Sequence, residues 1–98
     1  MIVENDGAAS VLLSRAPARG EVMAEIVTQL APFRTDDAQI IRGATVISKD
    51  LAIDSLAVMD MVMELEDRFD VSIPMNTVAE IQTVDELADT ILTLAARR

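Results

Sequence analysis

Apolar residues of this chain recur at steps of three and four, and that spacing limits the possible folds more than any other feature. Between Ser55 and Phe69, the apolar positions include Val58, Val62 and Leu65, whereas acidic residues occupy the other faces. Steps of three and four residues place side chains on one side of an α-helix. The spacing therefore predicts a helix from Ser55 to Phe69 with one buried stripe.

The same spacing recurs at residues 21–30 and 84–95. Pro32 ends the first of these helices, because its ring cannot continue a helix. Thr83 and Glu86 open the second as a capping box, in which each side chain accepts a hydrogen bond from the other residue's backbone. No alternation long enough for a strand is present. The chain is predicted to be all-α, a small bundle of three longer helices and one short helix.

Two connections and an N-terminal segment complete the predicted organisation. The long connection over 33–50 is expected to pack onto the core, because loops of this length are functional or internally packed. A short turn is expected around 76–81. Residues 1–19 are predicted to be a partly flexible extension before a folded domain at 20–98, with two helical turns over 8–16 and linker residues at 17–20. The residues expected to hold the long connection are Ile40, Ile41, Val46 and Ile47.

Composition excludes several classes of function. The 98 residues contain 17 acids and eight Lys or Arg, a net charge of −9 that repels nucleic acid and anionic membrane surfaces. The sequence has no Cys and no His, which excludes thiolate metal sites and a Ser-His-Asp hydrolase. No uncharged apolar stretch approaches 18 residues, and the start of the chain is acidic, unlike a signal peptide. We therefore expect a cytoplasmic protein without membrane insertion or a metal site.

The negative charge is concentrated in one part of the chain. Between residues 54 and 89 there are ten acids and one cation, Arg68, so this stretch accounts for the whole net charge. A field of this kind speeds encounters with basic protein surfaces. The sequence therefore predicts partners with basic surfaces. The protein itself is expected to be a monomer.

Ser55 is the one residue whose position suggests a chemical role, as a site of covalent modification. It lies where a polar turn passes into the predicted helix, and a helix N-terminus suits a phosphate ester because unpaired N–H groups and the positive end of the helix dipole face it. The structural alternative is that Asp54 or Ser55 only caps the helix. Both interpretations stay open on the residues alone.

A longer pattern surrounds this serine. The run Asp54-Ser55-Leu56 follows Asp50-Leu51 and is itself followed by Val62-Met63, Leu65-Glu66, Phe69-Asp70, Ile73-Pro74, Ile81 and Thr83-Val84-Asp85. Over about residues 21–96 this pattern resembles the acyl carrier protein family. The resemblance implies a carrier without a catalytic site of its own. It also implies that a holo-synthase, or phosphopantetheinyl transferase, attaches 4′-phosphopantetheine from coenzyme A to Ser55. The thiol of that arm would hold an acyl group as a thioester.

The resemblance also implies roles for neighbouring residues. Asp54 would help to position the transferase and its metal, and Leu56 would be an apolar contact beside the phosphate. The contact surface for partner enzymes would extend along the helix through Met59, Asp60, Met63 and Glu64. An apolar groove for the acyl chain could be lined by Val62, Leu65, Ile73, Ile81 and Leu87, since burying CH₂ groups is favourable.

The chain departs from the family at several surface positions. Ala57, Met75 and Asn76 stand where many members carry acids, and Glu80 stands where a basic residue is frequent. The surface after Ser55 is therefore more apolar than usual. We interpret the chain as a specialised member that serves a dedicated lipid or secondary-metabolite pathway.

Two alternatives remain. A free-standing peptidyl or aminoacyl carrier would share the Ser-Leu pair but is usually less acidic. A non-catalytic acidic helical adaptor would bind one basic partner and would keep its function after the substitution Ser55→Ala, whereas a carrier would lose it.

Overall fold

The structure is a computed structural model that describes residues 17–97. In this part of the chain there are five α-helices and no strand, so the predicted all-α class is confirmed. The helices are α1 (Arg19–Leu30), α2 (Ile47–Asp50), α3 (Ser55–Phe69), α4 (Met75–Glu80) and α5 (Val84–Ala96). The longer helices are α1, α3 and α5, and a 3-10 turn follows α1 at Ala31–Phe33. The helical turns expected over 8–16 lie outside the described residues.

The helix bounds follow the sequence closely at α3 and α5 and less closely at α1 and α4. α3 begins at Ser55 and ends at Phe69, as predicted. α1 begins at Arg19, earlier than expected, because the carbonyl of Ala18 accepts hydrogen bonds from two N–H groups of its first turn at 3.1 Å. Residues 19 and 20 are therefore helical rather than linker. α4 replaces the turn expected around 76–81, with Pro74 as its N-cap, a position that needs no backbone donor.

The core is aliphatic and lies between the three longer helices. α1 packs against both α5 and α3, which turns their apolar stripes toward one another. Most residues of the predicted stripes are buried, and Met61 joins the core beside the α3 stripe. The stripe residues that are only half-buried are Met23, Val27, Val58 and Leu92. The largest fully buried side chains are Val22, Ile26, Leu30, Leu65, Val84, Leu87 and Ile91. No helix in the described part is long and apolar enough to cross a membrane.

Backbone pairing, more than apolar side chains, fixes the long connection to the bundle. The N–H of Ile47 donates to the carbonyl of Gln82 at 2.9 Å, and that of Val84 donates to the carbonyl of Thr45 at 3.1 Å. These bonds flank an isolated bridge between Val46 and Thr83. They hold the connection against the N-terminus of α5.

The four apolar residues that were predicted to hold this connection differ in how deeply they are buried. Ile47 is buried, and Ile41 packs half-buried against the core, as expected. Ile40 is 66% exposed, so the prediction that it helps to pin the loop is wrong. Gln39 takes the inward position instead, because its side-chain amide donates to the carbonyl of Asp50 at 2.7 Å.

Gly43 lies directly beside the Asp85 side chain at the start of α5. Its carbonyl accepts the N–H of Asp85 at 2.9 Å, and an added Cβ would overlap the Asp85 carboxylate. Gly43→Ala would turn the Asp85 carboxylate away from Arg19, and is therefore expected to lower the free energy of unfolding by up to about 1 kcal/mol, measured by urea denaturation. The matched control is Gly20→Ala in α1, where nothing lies within 4 Å of the added Cβ. This change should stabilise the protein by about 0.5–1 kcal/mol. Equal effects of the two substitutions would contradict the close approach.

The predicted capping box is present at the start of α5. Glu86 N–H donates to the Thr83 hydroxyl at 3.1 Å, and the Glu86 carboxylate accepts the N–H groups of Thr83 and Gln82 at 2.8 and 2.9 Å. These backbone donors lower the pKa of Glu86 below its ordinary value of 4.5. The carboxylate therefore stabilises the fold above about pH 4.5, and this contribution is lost as pH falls through the lower pKa of the folded state.

This linkage predicts a pH-dependent effect of Glu86→Gln. The loss of unfolding free energy caused by the substitution should be largest at neutral pH and should shrink as pH falls below about 4.5. Urea denaturation at a series of pH values measures it. Glu80→Gln is the control, because the Glu80 carboxylate makes no hydrogen bond within residues 17–97. A loss from Glu86→Gln that stays constant between pH 7 and pH 3 would disprove the linkage.

Candidate functional site

Asp54 caps helix α3 and leaves the neighbouring serine hydroxyl free. Asp54 is extended (φ −95°, ψ 174°), and its Oδ1 accepts the N–H of Ala57 at 2.8 Å. Ser55 is the first helical residue and is exposed. Its hydroxyl makes no hydrogen bond within residues 17–97. The capping interpretation therefore holds for Asp54 and not for Ser55.

The electrostatics around Ser55 suit an anionic ester. The N–H groups of Ser55 and Leu56 have no acceptor among the described residues, since the first turn of a helix lacks intrahelical partners for them. α3 is 15 residues long, and its N-terminal pole carries partial positive charge. A phosphate joined to the Ser55 oxygen would lie beside these donors. The residues present thus fit a phosphate-linked group.

An exposed apolar stripe runs along α3 from the residue after Ser55. Leu56 is 72% exposed, Met63 is 59% exposed, and Met59 between them is half-exposed. Their spacing of three and four residues places them on one face. Asp60 and Glu64 are exposed beside this stripe. The structure therefore brings together all four residues predicted for partner contact, next to Leu56.

The acids of residues 54–89 fall into groups with different roles. Several make hydrogen bonds or ion pairs within the fold. Asp54 and Glu86 cap helices, and Glu66 accepts the N–H of Ile73 at 2.7 Å. A pair of acids on α5 forms ion pairs. That pair, Asp85 and Asp89, binds Arg19, with a distance of 2.9 Å for Asp85. The acids whose side chains make no hydrogen bond or ion pair within residues 17–97 are Asp60, Glu64, Asp67 and Glu80. Most of the unengaged charge therefore lies on α3.

A small apolar cavity lies beneath α3, starting one turn after Ser55. Its volume is about 80 Å³, room for roughly two or three water-sized groups. Val62, Ile81 and Leu87 line it as predicted, whereas Leu65 and Ile73 are buried in the core without lining it. The remaining lining residues, which the sequence analysis did not identify, are Ile47, Ser48, Val58, Met61 and Val78. The sequence could have predicted that Met61 lines the cavity, since it lies three residues after Val58 and therefore on the same side of the helix.

Comparison with known proteins places this site in a recognised sequence family. The model of the family described as "Phosphopantetheine attachment site" matches residues 24–91, a range that includes Ser55. A "Probable acyl carrier protein" of Caulobacter vibrioides is 46% identical over 57 residues, covering 58% of this chain and 66% of that protein.

Two further relatives are each described as "Acyl carrier protein". The one from Kocuria rhizophila is 36% identical over 64 residues, covering 65% of this chain and 75% of that protein. The one from Beutenbergia cavernae is 39% identical over 64 residues, covering 65% of this chain and 74% of that protein. The alignments thus span about two thirds to three quarters of these relatives.

Proposed function

Because the chain belongs to the acyl carrier protein family, whose prosthetic group is 4′-phosphopantetheine, we propose that it carries acyl groups on that arm attached to Ser55. One observation supports the proposal most directly. The Ser55 hydroxyl is exposed and unbonded at the N-terminus of α3, within the stretch that matches the family. When bound, the arm supplies a thiol that holds the cargo as a thioester.

The proposed attachment needs little chemistry from this chain. The Ser55 oxygen would form the phosphate ester and lose its proton, while the bond between the two phosphates of coenzyme A breaks and the nucleotide part leaves. A transferase would supply the base and metal, since this chain has no His or Cys. Asp54 uses Oδ1 in capping, and its Oδ2 makes no hydrogen bond among the described residues. That second oxygen is the atom we propose to face the transferase and its metal.

We further propose that the face of α3 meets enzymes with basic surfaces that transfer acyl groups. Leu56, Met59 and Met63 would fill apolar hollows, and Asp60 and Glu64 would pair with partner cations. Exposed ion pairs contribute little affinity and act mainly on encounter and orientation. Such contacts suit a monomeric, cytoplasmic carrier that must bind and release several enzymes in turn.

The departures near this face support a specialised rather than a general carrier. Met75, at the start of α4, is 64% exposed, and Ala57 stands beside the stripe where the resemblance implies an acid. We propose that the partners belong to a dedicated lipid or secondary-metabolite pathway. If purified fatty-acid elongation enzymes used the holo form as efficiently as they use a housekeeping carrier, this specialisation would be disproved.

Residues 20–98 are proposed to form the carrier domain, with residues 1–19 as an extension. The family match over 24–91 and the positions of α2 to α5 support this division, and α1 crosses the proposed boundary by one residue, Arg19. The ion pairs of Arg19 with Asp85 and Asp89 tie the last residue of the proposed extension to the domain.

The decisive experiment is the intact mass of the full chain after incubation with coenzyme A and a broad-specificity transferase. A single added arm, mapped by proteolysis to the peptide containing Ser55, would support the proposal. An unmodified chain, or an arm on another residue, would contradict it. Loading the holo form with acyl and aminoacyl ligases then separates an acyl carrier from an aminoacyl carrier.

A further inference from the structure

The apolar cavity beneath α3 and a groove on the surface of the bundle share one wall. The groove lies between the end of α1 and the first half of α3, and its volume is about 140 Å³. Met61 lines both spaces and is almost fully buried. Its side chain therefore separates the internal cavity from the groove. The residues that line the groove are Gln29, Phe33, Ala57, Asp60, Met61 and Glu64.

Met61 is the part of the cavity wall that can move. Val58 and Val62 are β-branched, and such side chains keep one rotamer on a helix. Leu87 is fixed in the packed core, where it is 1% exposed. Met61 is unbranched, has three rotatable bonds and adapts its shape to its surroundings. A change of its rotamer would join the cavity to the groove.

The floor of the groove is apolar. Phe33 and Ala57 are half-buried and form this floor together with Met61, whereas the acids Asp60 and Glu64 are exposed and lie at the rim. Ala57 is one of the positions at which the chain departs from the family resemblance, which implies an acid there. Alanine keeps the floor uncharged and leaves space beside α1, so the groove can cover an apolar chain.

We propose that Met61 is a gate for the acyl cargo. Short acyl chains would end in the cavity, and longer chains would displace the Met61 side chain and reach the groove floor at Phe33 and Ala57. The inference rests on the proposed function and names the cargo that this path suits, a straight acyl chain of medium length. The path leads toward α1, away from Ile73 and Ile81, which the sequence analysis expected to line the groove for the acyl chain.

The two volumes indicate the length of chain at which the gate is needed. A water-sized group takes about 30 Å³, and a methylene group is of similar size. The cavity of about 80 Å³ then holds roughly two or three such groups, and the groove holds roughly four or five more. A butanoyl chain therefore fits the cavity alone, whereas an octanoyl chain needs both spaces. Burial of the additional CH₂ groups favours the displaced position of Met61.

The test loads the ¹⁵N-labelled full chain at Ser55 with a butanoyl or an octanoyl arm. Each arm is supplied as the acyl-coenzyme A to a broad-specificity transferase, and intact mass confirms the loading. Two-dimensional NMR then compares each form with the form whose arm has a free thiol. Both cargoes should shift the backbone signals of Val78 and Ile81, which line the cavity. Octanoyl alone should also shift the backbone signal of Phe33 and the side-chain amide signal of Gln29.

Met61→Ile is expected to close the gate, because isoleucine has a similar volume and a stiffer side chain. Its octanoyl form should lose the shifts at Phe33 and Gln29, while its butanoyl form keeps the cavity shifts. Met23→Ile is the matched control, since it makes the same change at a half-buried methionine of α1 that lines neither space. This control should keep every octanoyl shift. Ala57→Asp tests the groove side, because a carboxylate at the floor should exclude the chain and remove the octanoyl shift at Phe33.

Several outcomes would overturn the inference. They are equal shifts of Phe33 with both cargoes, equal effects of Met61→Ile and Met23→Ile, and octanoyl shifts confined to the exposed stripe of α3. If Met61→Ile does not fold, Ala57→Asp decides with the same measurement. A chain that stays unmodified contradicts the proposed function itself, whereas a loaded chain without octanoyl shifts at Phe33 overturns only the gate.

Discussion

Replacing Ser55 with alanine is expected to abolish attachment of the phosphopantetheine arm completely. The substitution removes the only atom at the N-terminus of α3 that we propose to form the phosphate ester, and the free hydroxyl is not part of the hydrogen-bonded fold. Intact mass after incubation with coenzyme A and a transferase should show no added arm. The unfolding free energy should change by no more than about 0.5 kcal/mol, because Ser55 is exposed and Asp54 keeps the cap.

Ser72→Ala is the control for this prediction. Ser72 is also an exposed serine, in the segment that follows α3, so its loss tests for nonspecific transfer to accessible hydroxyls. This variant should gain one arm, as the unsubstituted chain should. An arm on the Ser55→Ala variant would move the attachment point elsewhere and would contradict the proposal. A biological function that survives Ser55→Ala unchanged, although no arm is attached, would favour the acidic adaptor.

The parts of the fold that the sequence predicts well are those set by local signals. The bounds of α3 follow from the capping residue Asp54 and the apolar period, and the capping box at Thr83 and Glu86 requires only neighbouring residues. The path of the connection over 33–50 could not be predicted in the same way. It depends on backbone bonds between residues that are far apart in sequence, such as Thr45 and Val84.

The candidate site shows the same contrast between features set by local sequence and features set by contacts between distant residues. The resemblance around Ser55 predicts the attachment residue and the contact face of α3, because both belong to one continuous segment. The sequence does not predict the groove that Gln29 and Phe33 form with residues of α3, since these two residues come from α1 and the turn after it. Similarly, Ser48 and Val78 reach the cavity only through packing of α2 and α4. The spacing of apolar residues along the chain cannot show which separate helices and turns contact one another.

Replacing Leu65 with alanine is expected to have the largest effect on stability of the changes considered. Leu65 is 0% exposed and belongs to the core cluster at the centre of α3. Removing a buried leucine side chain costs about 2–5 kcal/mol, through lost transfer free energy and the cavity that remains. Domains of this size unfold with about 5–15 kcal/mol, and each 1 kcal/mol lowers Tm by about 4–8 °C. Thermal and urea denaturation followed by circular dichroism measure the loss.

Met63→Ala is the matched control, because Met63 lies two residues earlier on the same helix and is 59% exposed. Its truncation should change the unfolding free energy by no more than about 0.5 kcal/mol, while weakening the contact with partner enzymes. Leu65→Ala should show the opposite pattern and still accept the arm at Ser55 below its unfolding temperature. Two residues apart, one side chain would then maintain the fold and the other would serve recognition. Similar losses of stability from the two substitutions would show that the exposed stripe is part of the core and would remove the basis for the proposed contact face.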